Sequence, residues 1–194
     1  MTGIAIPGYD YDVAAPSSIT EDELAALKAS VLFGDDDVAA LAQAGDVLAG
    51  QIDAVLDVWY GFVGAHPHLL AYFSTPGGVP LPDYLDRVRP RFGQWILDTC
   101  RRPYDARWLA YAEEIGRRHI PPHKNETDGA ASVPLVPLRH MVAFIYPITA
   151  TLRPFLATAG HPDAEVDRMH QAWFKSVTLQ VALWLRPYAR DGHW

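Results

Sequence analysis

The chain has 194 residues, a net charge of −7, 49% hydrophobic residues and 20% charged residues. The length fits a single domain, which we place at residues 1–194, and the composition excludes a disordered chain. The excess of acidic residues argues against nucleic acid or an anionic membrane as a partner. The one cysteine, Cys100, excludes an internal disulfide and a cysteine-based zinc or iron–sulfur site.

Neither a secretory signal nor a membrane span is expected from the sequence. Residues 1–11 lack a basic region and an apolar run. The longest apolar stretch, residues 141–152, lies between Arg139 and Arg153 and is shorter than the roughly 18 residues that a span requires. We therefore expect a cytoplasmic protein without a membrane partner.

Apolar residues recur at helical spacing along most of the chain, and no segment alternates as a strand would. After an irregular arm over residues 1–18, Thr20 and Glu23 have the capping-box pattern that begins a short helix. Further helices are predicted over residues 46–64, 83–100, 105–119, 138–157 and 163–186. Pro90 is expected to bend or split the second of these. The sequence predicts an all-α fold.

Two other patterns are weak candidates for chemistry. His119 and His123 have the spacing of two metal ligands on one helix, but Pro121 and Pro122 break the helix between them. Cys100 precedes two arginines that would lower the pKa of its thiol, although a lone thiol at a helix end is usually structural. Neither pattern predicts a site.

His119 is a stronger candidate, because it ends an apolar helix face that includes Trp108 and Ile115. Two interpretations stay open. The residue is either a hydrogen-bonded core histidine or the axial ligand of a haem iron, which needs one neutral imidazole in an apolar helical core. In the second case, part of the aromatic content would pack against the flat macrocycle, and in the first it would serve helix packing alone.

Longer motifs resemble those of a known family. They are WYGFV at residues 59–63, RFGQWILDT at 91–99, AFIYPITAT at 143–151, AWFK at 172–175 and LQVA at 179–182. On these motifs the chain resembles the protoglobins, which are single-domain haem globins of archaea and bacteria. The resemblance extends from Ile6 near the start to Tyr188 near the end.

The resemblance implies a globin-like helical sandwich with an extra N-terminal helix and an arm that helps to bury haem b. It implies that His119 is the proximal iron ligand, and it implies a homodimer that pairs through the last helices. The other residues that it places around the haem are Trp59, Tyr60 and Phe92 on the distal side, with Phe144 and Ile148 along the cavity. One departure follows the ligand, where the family commonly has a second histidine and a basic stretch but this chain has Ile120 and two prolines.

The chemistry of the distal residues agrees with these roles. The phenol of Tyr60 can donate a hydrogen bond to bound dioxygen, on which negative charge develops. Trp59 is large enough to gate access by a rotamer change, and Phe92 would exclude water. For the haem propionates we expect Arg91 as the cationic partner, with Arg117 and Arg118 as weaker candidates.

The function implied is reversible binding of O₂, CO and NO at a five-coordinate haem iron, as a gas-binding or gas-sensing protein. Two alternatives stay open. The first is a haem enzyme that acts on nitric oxide, nitrite or peroxide, or that transfers carbenes or nitrenes in an engineered context. The second is a helical interaction module without haem. The sequence shows no distal His–Arg pair, which argues against a specialised peroxidase.

Overall fold

The computed structural model describes residues 5–194. Helices make up 65% of the chain, and no strand is present in the described residues. The predicted all-α, globin-like fold is therefore confirmed. The first four residues of the expected N-terminal arm lie outside the described part of the chain.

The part of the chain described contains ten α-helices, joined by short loops and 3₁₀ turns. Their bounds are α1 Glu21–Ser30, α2 Asp35–Leu48, α3 Ile52–Ala65, α4 Pro67–Leu70, α5 Pro82–Arg101, α6 Ala106–Arg117, α7 Leu138–Ala143, α8 Ile145–Ala150, α9 Arg153–Leu156 and α10 Asp163–Trp184. The central element is α10, which packs against α2, α6, α8 and α9. The core follows this long helix.

The predicted capping box forms at the start of α1. Thr20 Oγ1 accepts a hydrogen bond from the Glu23 amide at 3.2 Å, and the Glu23 carboxylate accepts one from the Thr20 amide at 2.7 Å. Both bonds satisfy amides that the first helical turn leaves without partners. The sequence prediction of the short first helix is correct.

The sequence prediction missed α2 and placed the start of α3 too early. The predicted helix over residues 46–64 corresponds to the end of α2, a break at residues 49–51, and α3. The buried face of α2 includes Ala44 and Gly45, beside Leu41 and Leu48. Small residues on that face weaken the apolar periodicity, so the sequence pattern does not predict this helix.

Two prolines divide the predicted helix over residues 138–157 into α7, α8 and α9. A proline has no amide hydrogen, so the carbonyl four residues before it has no helical donor. Pro147 removes the donor for Ala143, where α7 ends, and Pro154 removes the donor for Ala150, where α8 ends. By contrast, α5 continues through Pro90, so of the two outcomes predicted there, a bend or a split, the split does not occur.

By length and composition alone, residues Leu138–Ala159 would suffice to cross a membrane, with a mean hydropathy of 1.3. The core helix of a globular protein passes the same test, so this is weak evidence for a span. In the structure the segment comprises three separate helices, of which α8 and α9 pack on α10.

Candidate functional site

A mostly apolar cavity of about 270 Å³ lies among α3, α5, α7, α8, α10 and the residues that follow α6. The structure brings to it all seven residues that the sequence analysis assigned to a cofactor site. They are Trp59, Tyr60, Arg91, Phe92, His119, Phe144 and Ile148. Because these residues come from four separate segments of the chain, their convergence is a property of the tertiary fold.

His119 lies two residues beyond the end of α6, at the wall of the cavity. Its Nδ1 lies 2.7 Å from the carbonyl oxygen of Ile115. A carbonyl oxygen only accepts hydrogen bonds, so Nδ1 carries the proton and Nε2 keeps its lone pair. Burial lowers the pKa of His119 to about 4, which keeps the imidazole neutral at neutral pH. This tautomer is the one that binds a metal through Nε2.

Tyr60 contributes a buried hydroxyl at the wall of the same cavity. Within residues 5–194 that hydroxyl has no hydrogen-bond partner. Burial raises its pKa, with the positive charges of Arg89 and Arg91 acting in the opposite direction, so the phenol stays protonated. A buried donor without a partner lowers the stability of the fold. Such a donor is expected where the hydrogen-bond acceptor belongs to a ligand.

Trp59, the neighbour of Tyr60 on α3, is held in place by a hydrogen bond. Its Nε1 donates to Oγ1 of Thr151 at 2.8 Å, and that hydroxyl donates to the carbonyl of Pro147 at 2.6 Å. The indole is 3% exposed, and its ring lies 4.8 Å from that of Phe92. A rotamer change of Trp59 would break this hydrogen bond, and gating by Trp59 stays a prediction.

Phe92, Phe144 and Ile148 complete the apolar wall. Phe92 also meets Tyr60 edge to face, with ring centroids 6.3 Å apart. Phe144 lies at the junction of α7 and α8, where its ring meets Phe62 at 6.2 Å, and Ile148 on α8 is 4% exposed. These contacts hold the side chains in a mostly apolar pocket, as binding of a flat apolar group requires.

Arg91 lines the cavity but already has an anionic partner. Its guanidinium forms two hydrogen bonds to the Asp128 carboxylate, at 3.1 and 2.5 Å, and a third to the carbonyl of Pro7 at 3.1 Å. Of the two weaker candidates, Arg118 lines the cavity and Arg117 does not. A propionate partner at Arg91 stays a prediction, and any propionate there would share the guanidinium with Asp128.

Lys124 is a cavity residue that the sequence analysis did not identify. Its Nζ lies 2.6 Å from Ser132 Oγ and 3.0 Å from the carbonyl of Tyr72, both neutral acceptors. Burial lowers the pKa of its ammonium to about 8. Lys124 lies in the polar loop after two prolines, and nothing in that segment signals that the loop folds inward.

The N-terminal arm reaches the cavity through Tyr9. Its hydroxyl and that of Tyr11 donate to the same carboxylate oxygen of Asp98, at 3.0 and 2.9 Å. Its ring also meets Tyr111, which lines the cavity from α6. The described part of the arm is therefore placed where it can help to enclose a ligand.

The remaining titratable residues considered from the sequence lie elsewhere. Burial raises the pKa of Cys100 to about 12, which outweighs the opposite influence of Arg101, so the expected lowering is wrong. His123 faces Glu126 at 3.0 Å in the loop. Residues 5–194 contain no group of three or more histidine, cysteine and acidic residues arranged to hold a metal ion.

Comparison with protein families identifies the family of this chain. Residues 20–194 match the model of the protoglobin family. The chain is a protoglobin. A search among curated proteins gave no match. The family implies a haem cofactor, and the cavity fits one, because its walls are mostly apolar and include a neutral imidazole with a free Nε2 lone pair.

Proposed function

We propose that this protoglobin holds haem b through Nε2 of His119 and binds O₂, CO and NO reversibly. The observation that carries the proposal is the tautomer of His119. Its hydrogen bond to Ile115 leaves Nε2 unprotonated at a cavity that also contains the Tyr60 hydroxyl, which has no hydrogen-bond partner among residues 5–194. When bound, the haem supplies an iron atom with one position open to a diatomic gas.

The residues of the cavity have separate parts in this function. The Ile115 carbonyl polarises the imidazole and fixes its tautomer. Tyr60 would donate a hydrogen bond to a gas molecule held in the cavity, since its hydroxyl has no acceptor in the described residues. Trp59 and Phe92 exclude water from the same region, because their rings pack against each other.

Absorption spectra of the ferric, ferrous and CO-bound protein test the proposal. In His119→Gly, we expect the Soret band of each form to change and added imidazole to restore it, because imidazole replaces the missing side chain. His123→Gly is the matched control, since His123 lies in the loop with a side chain 45% exposed. A spectrum unchanged in His119→Gly would show that another group binds the iron.

Gas binding and catalysis differ in stoichiometry. A gas-binding protein takes up one equivalent of CO or O₂ per haem and releases it when the gas is removed. A haem enzyme consumes nitric oxide, nitrite or peroxide over many turnovers. Gas titration and steady-state assays on the same preparation separate the two, and sustained turnover would favour the enzyme.

A homodimer is also part of the proposal. Helices α7, α8 and α10 carry exposed large apolar residues, namely Val142 at 45%, Tyr146 at 77% and Phe174 at 43% exposure. Because α8 packs on α10, a second copy could cover both helices. Sedimentation of the wild type and of Tyr146→Arg tests this, and a wild-type monomer would contradict it.

The cytoplasmic location stays a prediction.

A further inference from the structure

The C-terminal end of α10 lies against the side of the His119 imidazole. The indole of Trp184 is nearly parallel to that ring, with 16° between the planes and 6.3 Å between the centroids. On another side, the indole meets Trp95 at 5.5 Å. Its Nε1 is buried and has no hydrogen-bond partner within residues 5–194. Ring packing, and not a hydrogen bond, therefore sets the orientation of the indole.

Close contact between the backbones of Gly116 and Trp184 holds the His119 and Trp184 side chains near each other. A Cβ atom at Gly116 would lie 2.4 Å from the Trp184 carbonyl oxygen and 2.9 Å from its Cα. The last turns of α6 and α10 therefore touch directly, with no side chain between them. Gly116 follows Ile115, whose carbonyl accepts the hydrogen bond from His119 Nδ1, so the same turn positions both the imidazole and the indole.

The backbone of His119 also contacts the segment that follows α10. The Tyr188 hydroxyl lies 2.7 Å from the Val136 carbonyl and 3.4 Å from the His119 carbonyl. The Val136 amide donates to that same His119 carbonyl at 2.9 Å. Tyr188 follows α10 by four residues, so the end of the chain restrains both the backbone and the ring of the histidine.

We propose that Trp184 is a positioning residue for the iron ligand. A hydrogen bond at Nδ1 alone still allows the imidazole to rock about its Cβ–Cγ bond, and the indole limits that motion. Trp184 thereby fixes the direction of the Nε2 lone pair and strengthens the bond that Nε2 makes. The inference rests on the proposed function in one respect, because it takes His119 as the ligand.

The iron–histidine stretching band of the ferrous, gas-free haem protein tests this role by resonance Raman spectroscopy. In Trp184→Leu, we expect the band to move to lower frequency and to broaden, because a ring that rocks makes a weaker and less uniform bond. Trp184→Phe keeps an aromatic face and should show a smaller shift in the same direction. Faster haem loss should accompany the larger shift.

Trp108→Leu is the matched control. Trp108 is also a buried tryptophan, 3% exposed, but it stacks on Tyr104 at 3.9 Å and is not among the residues that line the cavity. It should lower stability to thermal unfolding as Trp184→Leu does, yet leave the band in place. A purely structural role of Trp184 would make the two variants alike.

An unshifted band in a folded, haem-bound Trp184→Leu protein would overturn the inference. If that variant does not fold, Trp184→Phe decides, and an unchanged band there has the same meaning. Failure of the proposed function is a separate result. In that case the band of His119→Gly would be the same as that of the wild type. If only the positioning role fails, the band would change in His119→Gly but not in Trp184→Leu or Trp184→Phe.

Discussion

The Asp128 carboxylate accepts two hydrogen bonds from the Arg91 guanidinium at the wall of the haem cavity, at 3.1 and 2.5 Å. Both side chains are largely buried, with 12% of Arg91 and 5% of Asp128 exposed. Arg87, which is 47% exposed, reaches the same carboxylate at 3.5 Å. The pair connects α5 to the loop that follows His119. It therefore stabilises the wall of the cavity whether or not a cofactor is bound.

Breaking this pair should be costly, because it leaves the buried Asp128 carboxylate with only the more exposed Arg87, at 3.5 Å. We expect Arg91→Met to lower the free energy of unfolding by about 2 kcal/mol, less than for a buried charge left with no partner at all. The double variant Arg91→Met with Asp128→Asn should lose less than the sum of the two single changes, since no lone charge remains. Urea unfolding of the four proteins measures the coupling, and strictly additive losses would contradict it.

The Tyr60 hydroxyl, which has no partner in the described part of the chain, should matter only when a gas is bound. We expect Tyr60→Phe to leave the stability of the gas-free protein unchanged or slightly raised, because no hydrogen bond within residues 5–194 is lost. Dissociation of O₂ should become about 3- to 10-fold faster, which corresponds to the loss of one hydrogen bond. Stopped-flow measurement of O₂ release tests this.

Tyr104→Phe is the control for that prediction. The Tyr104 hydroxyl donates to the Thr99 carbonyl at 2.9 Å and lies 2.5 Å from Ser176 Oγ. Its removal should lower stability by about 1 kcal/mol and leave O₂ release unchanged. If both variants release O₂ at the wild-type rate, Tyr60 does not contact the bound gas.

Gly8 allows the N-terminal arm to cross close to Arg91. Its φ is +75°, and a Cβ there would lie 2.5 Å from Thr127 Cγ2 and 2.9 Å from Arg91 Nη1. We expect Gly8→Ala to lift the arm and to speed haem transfer to an excess of a haem acceptor protein. Gly78→Ala is the control, because Gly78 has a similar φ of +83° but open space around it. It should cost only the backbone strain, about 1 kcal/mol, without faster haem loss.

The arm is also anchored by a carboxylate, which makes its attachment depend on pH. Burial alone would raise the pKa of Glu113, but hydrogen bonds from Ser17 Oγ and the Ser18 amide, together with Arg117, lower it below the ordinary value of 4.5. The stabilisation is therefore complete above pH 4.5 and is lost as the pH falls through the folded-state pKa.

We expect Glu113→Gln to weaken the acid dependence of unfolding. The wild type should lose stability as the pH falls below the ordinary value of 4.5 and through the folded-state pKa, and the variant should lose less over the same interval. Ser18→Ala, which removes only a side-chain hydroxyl, should keep most of the wild-type slope because the amide still donates. Chemical unfolding at several pH values checks the slopes, and equal slopes would rule out Glu113 as the anchor.

The sequence by itself determined the features that depend on near neighbours. The capping box of α1 needs only Thr20 and Glu23, and its geometry follows from their spacing. The end of the apolar face before Pro121 identified His119, and the Nδ1 bond to Ile115 is again an interaction over four residues. Local interactions of this kind are specified by residue order and helical period.

Only the tertiary structure decided the interactions between distant segments. The bond from Trp59 to Thr151 spans 92 positions, and the pair of Arg91 and Asp128 spans 37. The burial that raises the pKa of Cys100 and lowers that of Lys124 has no local signal either. The reason is physical, because desolvation and long-range hydrogen bonding depend on which surfaces pack together, and one helical period is compatible with many packings.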